Sequence, residues 1–342
     1  MFNEKVEILV INTMCIGDLM LTTPALRVLK TNFSNSHIAM IVDQRYKEVV
    51  EGNPHLDEII SLDKKGQHKG LAGIWNLVQR LRKRKLDLVV NLSCNERSTI
   101  ITILSNAKKK LGYAHRGQGF FLDGKIPFKI IPQGKRHMVD AHLDILRIFN
   151  LDCSNHNGLE IFPSNDDHTF AQHFLQENGV KDDELLIGVN AGANWPTKRW
   201  SREGFAQVAD ALVEKYSARV IFFGGPDDKE MVNAVISMMK NRPIVATGKT
   251  TLKQLAALIN RCKLFITGDT GPMHIAVGVK TPVVAIYGPS PVGGFAPYGD
   301  GHTIIRKGTC CSPCGKHHCD KHDCMKLITA EEVLKAVENY FL

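Results

Sequence analysis

Nine consecutive residues, Gly268-Asp269-Thr270-Gly271-Pro272-Met273-His274-Ile275-Ala276, combine two glycines with a carboxylate, a hydroxyl, a proline and an imidazole. An apolar run, Leu264-Phe265-Ile266-Thr267, precedes them, and a second, Pro282 to Tyr287, follows. Pro272 suits the first turn of a helix, where its missing N–H costs nothing. A helix that starts there leaves unpaired backbone N–H groups and a partial positive charge at the end of a strand, a setting that suits phosphate. Gly268 and Gly271 let backbone approach such a ligand with no Cβ in the way. The same residues also read as a plain turn between strand and helix, since position in a fold does not by itself establish a ligand.

Further loops carry related chemistry. Asn190-Ala191-Gly192-Ala193-Asn194-Trp195-Pro196-Thr197-Lys198-Arg199-Trp200 follows an apolar run. Gly192 and its small neighbours bring backbone near a ligand, and Lys198 offers a point charge to phosphate. Phe223-Gly224-Gly225-Pro226-Asp227-Asp228 ends another run with two carboxylates suited to ribose hydroxyls, and Tyr287-Gly288-Pro289-Ser290 closes a third. Several such loops on one rim of a parallel sheet point to a phosphate-bearing ligand in the second half. Near the N-terminus, Asn12 to Asp18 links a strand to a helix. Asp18 reads either as an N-terminal cap or as a ligand group at the carboxyl end of a parallel strand. The Gly-x-Gly-x-x-Gly fingerprint of dinucleotide-binding dehydrogenases is absent from both first loops.

Positioning these groups takes two runs of alternating strand and helix. In the first half, strands are expected at Val6–Ile11, His37–Val42, Asp57–Leu62, Leu86–Leu92 and Leu111–Tyr113, with an irregular Gly-rich segment at 116–134. Helices are expected at 19–30, 46–51, 71–85, 96–105 and 137–150, and Pro24 should kink the first or mark a late start. The polar stretch 151–164 reads as a linker. After a helix at 166–178 come strands at 185–190, 219–223, 244–246, 264–267 and 283–287, separated by helices. Thr329 with Glu332 forms a capping-box pattern ahead of a last helix. The expected architecture is α/β: one domain over 1–160, a second over 161–328, and a helix over 329–342 long enough to cross back to the first domain.

At 342 residues, 44% hydrophobic and 23% charged, the composition is that of a globular protein of two ordinary domains. No apolar run is long enough to span a membrane and the N-terminus has no signal-peptide pattern, so a cytoplasmic location is expected. Residues 1–150 hold 23 Lys and Arg against 14 Asp and Glu, while the remainder holds 20 against 21. An anionic partner for the basic half follows from that bias. Nucleic acid is not expected, because no binding motif or aromatic–basic interleaving is present. The basic helix around Arg80–Lys85 suits the acidic inner leaflet of a membrane, although a solvated helix face explains the same pattern.

Ile16-Gly17-Asp18 with Thr22-Thr23-Pro24-Ala25-Leu26, then Thr197-Lys198-Arg199-Trp200, then Gly268 to Ala276 follow one another at a familiar spacing. The pattern resembles the bacterial heptosyltransferases of glycosyltransferase family 9 along nearly the whole chain, and its Lys-Arg-Trp form is closer to the second enzyme of the core pathway. The resemblance implies a GT-B fold, two Rossmann-like domains with parallel sheets facing a central cleft. It also implies inverting transfer from ADP-heptose to the lipopolysaccharide inner core, with no cofactor beyond the donor. Carried over, Asp18 is the general base on the acceptor hydroxyl, and Lys198 contacts the donor diphosphate. Asp269, Thr270, Gly271 and His274 line the donor site; His274 equally reads as a helix residue packed on a strand. Asp227 and Asp228 are candidates for the ribose contact, since Pro226 interrupts the family's pattern there. The anionic acceptor meets the basic half, where Lys64, Lys65, Arg97, His115, Arg116, Arg136 and His137 lie in or beside loops. A sugar-nucleotide epimerase of the same architecture is the competing reading.

Five of the nine cysteines fall in one short tract. Cys311, Cys314, Cys319 and Cys324 have spacing that suits four thiolates on zinc, with His317, His318 and His322 nearby. Free thiols in a reducing compartment are the main expectation for them, ahead of zinc and then of a disulfide.

Overall fold

The computed structural model describes residues 5–115 and 117–341. The chain divides into two compact units, Met1–Phe162 and Pro163–Leu342, with the break inside the polar stretch expected to be the linker. The first unit carries strands β1 (Val6–Ile11), β2 (Ser36–Asp43), β3 (Glu58–Leu62), β4 (Leu88–Asn91), β5 (Lys109–Ala114) and β6 (Gly124–Pro127). They form one sheet in the order β3-β2-β1-β4-β5-β6. All its pairings are parallel, with Val10 opposite Met40 on one side and Val90 on the other. Helices α1 (Ile16–Asn32), α2 (Gly70–Arg82), α3 (Glu96–Leu104) and α4 (Met138–Arg147) connect or flank them. The central strands are buried on both faces, which explains their continuous apolar sequences. On one face Leu9, Ile11, Ala39 and Val89 pack with Ile74, Leu77, Val78 and Leu81 of α2 and Ile101 of α3.

The second unit opens with α5 (Asn165–Glu177) and repeats the design with β7 (Leu186–Asn190), β8 (Arg219–Phe223), β9 (Ile244–Val245), β10 (Leu264–Gly268), β11 (Val283–Tyr287) and β12 (Thr303–Arg306). Its order is β12-β11-β10-β7-β8-β9, again parallel throughout. Helices α6 (Arg202–Tyr216), α7 (Lys229–Ile236), α8 (Leu252–Asn260), α9 (Gly271–Gly278), α10 (Val292–Phe295), α11 (Asp323–Lys326) and α12 (Ala330–Glu338) complete it. In each sheet the chain winds outward from one central strand, then returns to its other side. The carboxyl ends of β1 and β4, and of β7 and β10, are therefore topological switch points, where open α/β sheets form a crevice for ligands.

Several sequence expectations change. Helix α1 starts at Ile16, well before Pro24, and runs on through it. The carbonyl of Met20, which the proline cannot serve, accepts the Thr23 hydroxyl at 2.8 Å instead. The segment 44–49, expected to be α-helical in part, is a 3₁₀ helix. Strands β6 and β12 were not expected. The first is short and ends in proline at a sheet edge, where a missing N–H is tolerated. In β12 every second residue is exposed, so it lacks an apolar run. The last helix buries Val333, Ala336 and Val337 in the core of the second unit, beside Val208 and Leu212 of α6.

Candidate active site

At the crevice of the second unit, β7 and β10 each end in a loop that turns toward its neighbour. Asn190, the last residue of β7, is buried and spans the gap. Its amide nitrogen lies 3.1 Å from the Gly192 carbonyl and 3.3 Å from the hydroxyls of both Thr267 and Thr270. Thr270 is the N-cap of α9, yet its own side chain makes no capping hydrogen bond. The partial positive charge of its first turn is thus left to whatever enters the crevice. A Cβ on Gly268 would sit 3.1 Å from the Lys198 carbonyl, which explains why glycine ends β10. Close approach of the two loops brings the Lys198 ammonium 2.6 Å from the Asp269 carboxylate. Asp269 is buried, so the pair lies where water screens its attraction less than at the surface.

The Lys198 loop is braced from outside. The Lys198 ammonium lies 4.6 Å from the ring centroid of Trp195, a cation–π distance, and Trp195 stacks on His317 at 3.6 Å. Thr197 donates its hydroxyl to the Lys316 carbonyl at 2.7 Å, while His322 Nε2 lies 2.7 Å from the Thr197 carbonyl. Trp200 donates its indole N–H to the Ile328 carbonyl at 3.0 Å. The cysteine tract therefore straps the donor-type loop, a role its sequence does not announce. Cys311, Cys314, Cys319 and Cys324 are free thiols, and among the described residues no group of three His, Cys, Asp or Glu side chains is gathered to hold a metal. Burial pushes the Cys324 thiol up, with Cys314, Cys311 and Cys319 adding to the shift.

Asp228 has a local task. Its carboxylate accepts the Gly225 N–H at 2.9 Å, and a Cβ on Gly192 would meet its oxygen at 2.2 Å. Asp227 beside it is exposed. His274 is buried in α9, one turn beyond Thr270. Tyr287 at the end of β11 is raised well above the ordinary phenol range by burial, and Asp269 adds to that by charge and hydrogen bonding.

The crevice of the first unit is shaped differently. A cavity of about 460 Å³ is lined by Thr13 and Met14 after β1, Lys64 after β3, Cys94 to Arg97 after β4, and His115 after β5. The β1 and β4 loops are tied together by Thr13 N–H to Ser93 Oγ at 2.8 Å and Asn95 Nδ2 to Thr13 Oγ1 at 2.9 Å. Lys64 donates to the Thr13 carbonyl at 2.7 Å and pairs with Asp43 at 2.9 Å. Burial works to raise the Asp43 carboxyl, but hydrogen bonds from Arg45 and Lys64 outweigh it and hold it well below the usual range.

Asp18 sits half-buried in the first turn of α1, its carboxylate accepting the Cys15 N–H at 3.3 Å. Burial and the Asp18 charge push the Cys94 thiol up to about 12, which places Asp18 in electrostatic reach of a residue lining the cavity. Among the basic residues expected at an acceptor, Arg97, Lys64 and His115 line the cavity. Arg136 instead forks onto Asp144 at 2.7 and 2.8 Å, and His137 accepts the Val139 N–H as the N-cap of α4. Arg116 lies outside the described residues. Sequence reasoning missed Thr13, Cys94 and Asn95, whose types carry no signal without the pairing of β1 and β4.

Two doubly wound parallel sheets, one crevice suited to a diphosphate and the other cationic and open, define an α/β protein of the sugar-nucleotide-binding GT-B class. The chain matches glycosyltransferase family 9 (heptosyltransferase) over residues 74–325 and belongs to that family, so it is a glycosyltransferase. It is similar to the family 9 glycosyl transferase from Veillonella parvula, 35% identical, with a TM-score of 0.89 over 99% of this chain and 98% of that one. Lipopolysaccharide heptosyltransferase 3 of Escherichia coli K12 is 27% identical over 330 residues, 94% of each chain. The E. coli ADP-heptose lps heptosyltransferase II shares the fold at 21% identity, with a TM-score of 0.80 over 98% of each chain.

Proposed function

We propose that this protein transfers heptose from ADP-heptose to the inner core of lipopolysaccharide with inversion at the anomeric carbon. The observation that carries the reading is the pairing of family membership with the β7–β10 crevice. There Lys198, the start of α9 and the backbone around Gly192 offer positive charge and N–H groups to a diphosphate. The acceptor, a phosphorylated and carboxylate-rich core oligosaccharide, is assigned to the cavity bearing Lys64, Arg97 and His115. Asp18 belongs to the same unit and takes the proton of the acceptor hydroxyl as its oxygen attacks the anomeric carbon. The bond to the diphosphate breaks on the opposite face, and ADP leaves with the electron pair.

Charge on the departing diphosphate is met by Lys198 and backbone N–H groups, so a resident metal is not part of this mechanism. Thr270, Gly271 and His274 line the donor site in this reading, and Asp227, rather than the occupied Asp228, is free to take the ribose. No helix among the described residues is long and apolar enough to cross a membrane. The proposed setting is cytoplasmic, at the inner face of the inner membrane.

The test is ADP release from ADP-heptose with and without an inner-core acceptor. Release that requires acceptor, with heptose found on the acceptor, is the expected result. Conversion of the donor to an epimer without acceptor would overturn the reading in favour of an epimerase.

A further inference from the structure

Between Asp63 and Asp87 the chain contains no acidic residue, and residues 64–86 carry eight lysines and arginines. That stretch accounts for the whole formal charge of +8, because the rest of the chain holds 35 residues of each sign. Three of its cations are engaged locally: Lys64 with Asp43, Arg84 with Glu58, and Arg80 with the His68 ring. Lys65, Lys69, Arg82, Lys83 and Lys85 are exposed and form no ion pair among the described residues.

Helix α2 occupies most of this stretch. One face buries Ile74, Leu77, Val78 and Leu81 against the sheet, and the opposite face is open. On that open face Leu71 is 77% exposed and Trp75 46% exposed. Spacings of four and then seven place Leu71, Trp75 and Arg82 in one row along the helix, with Lys83 beside it. An exposed Trp and Leu flanked by cations have the composition of a helix that lies in the headgroup layer, the ring at the boundary and the cations on anionic lipid.

The row also has a position. Helix α2 enters from the carboxyl edge of β3, the edge at which Lys64, Arg97 and His115 line the cavity. Phe120, 86% exposed, belongs to the turn in which Gly119 abuts Ala114, the last residue of β5 at the same edge. The N-terminal end of α2, the Phe120 turn and the cavity thus belong to the same edge of the first sheet.

We infer that the outer face of α2, with the Lys65–Lys69 loop leading into it, docks the protein on an anionic membrane surface. This rests on the proposed acceptor only in its purpose: a lipid-anchored sugar would be presented to the cavity from that surface. Charge complementarity selects the occupant, since an acid-free cationic stretch favours a sheet of negative headgroups.

The full chain is mixed with vesicles of phosphatidylcholine alone or of phosphatidylcholine with phosphatidylglycerol, and bound protein is measured by sedimentation. Binding is expected only with phosphatidylglycerol, weakening as salt rises. The Leu71→Ser/Trp75→Ser variant and the Arg82→Glu/Lys83→Glu/Lys85→Glu variant should each bind at least about tenfold more weakly. All five positions are exposed, and circular dichroism checks that both variants fold. Both should keep wild-type turnover on a delipidated, soluble acceptor. Wild-type indifference to phosphatidylglycerol, or vesicle binding unchanged in both variants, overturns the inference. A wild-type dimer that the Leu71→Ser/Trp75→Ser variant dissolves would give the face to a second copy and overturn it as well. Vesicle binding as expected from a protein without transferase activity would sink the functional reading and leave the surface standing.

Discussion

The crevice beside β7 and β10 and the crevice beside β1 and β4 come from the same strand order, yet their polar groups are arranged differently. In the second unit the cation is already matched: Lys198 lies against buried Asp269, and backbone groups supply the rest. In the first unit Lys64 is likewise tied to a buried carboxylate, Asp43, but Arg97 and His115 line the same cavity from separate loops. A diphosphate is the same in every donor of its kind, so fixed backbone and one braced lysine suffice. An acceptor is particular, and in the proposed reading Lys64, Arg97 and His115, on three different loops, meet it. The difference suggests that the second unit supplies binding common to the reaction and the first supplies selection and proton transfer.

The largest effect should come from Asp18. Asp18→Asn keeps a group able to accept the Cys15 N–H, so the fold and donor affinity should stay near wild type. Turnover should fall by about 10²–10⁴, as removal of a general base does. Steady-state rates at saturating acceptor, beside calorimetric donor affinity, check this; wild-type kcat would move the base elsewhere.

Next is Lys198→Ala, which leaves the buried Asp269 carboxylate unmatched and facing the donor. Donor affinity should drop by roughly 10- to 100-fold, the loss of a charge-assisted contact to phosphate. Lys198→Ala combined with Asp269→Asn should recover part of that loss, giving a positive coupling in a double-mutant cycle. Strict additivity would mean that the pair does not act as a unit, and the contrast between the crevices would weaken.

The smallest effect concerns acid. His142 is fully buried in the first unit with its ring 2.6 Å from the Tyr113 hydroxyl, and burial pushes it down to about 3. An unfolded histidine titrates near ~6.5. The unfolded chain therefore binds the proton first, so stability is full above ~6.5 and declines as pH falls from there toward 3. His55, His68 and His156 of the first unit are also lowered by burial, against His302 in the second. Hydrogen exchange, corrected for intrinsic rates, should show the first unit losing protection before the second as pH drops below ~6.5. Equal loss in both units would remove this contrast.

The sequence was most readable where chemistry and chain geometry coincide. Gly268 to Ala276 announces strand end, turn and helix start in one segment, and the structure places all three there. The cavity of the first unit was opaque for the opposite reason. Thr13 and Ser93 meet only because β1 and β4 are neighbours, and neither residue type is distinctive. Charge alone does not disclose that Arg136 also forks onto Asp144 or that His137 also caps α4. Edge strands β6 and β12 escaped notice because half-exposed or proline-ended segments lack the unbroken apolar signature of a buried parallel strand.

The stack of Lys198, Trp195 and His317 has an optical consequence. Trp195 is half-buried, Trp200 is sealed in the core, and Trp75 belongs to the other unit. An indole in contact with an ammonium and an imidazole emits according to both neighbours. Any ligand that draws Lys198 toward its own phosphates changes the field on that ring, so in the proposed reading Trp195 is a fluorophore beside the donor. Stopped-flow emission with unlabelled protein can therefore follow arrival and departure of the nucleotide in real time.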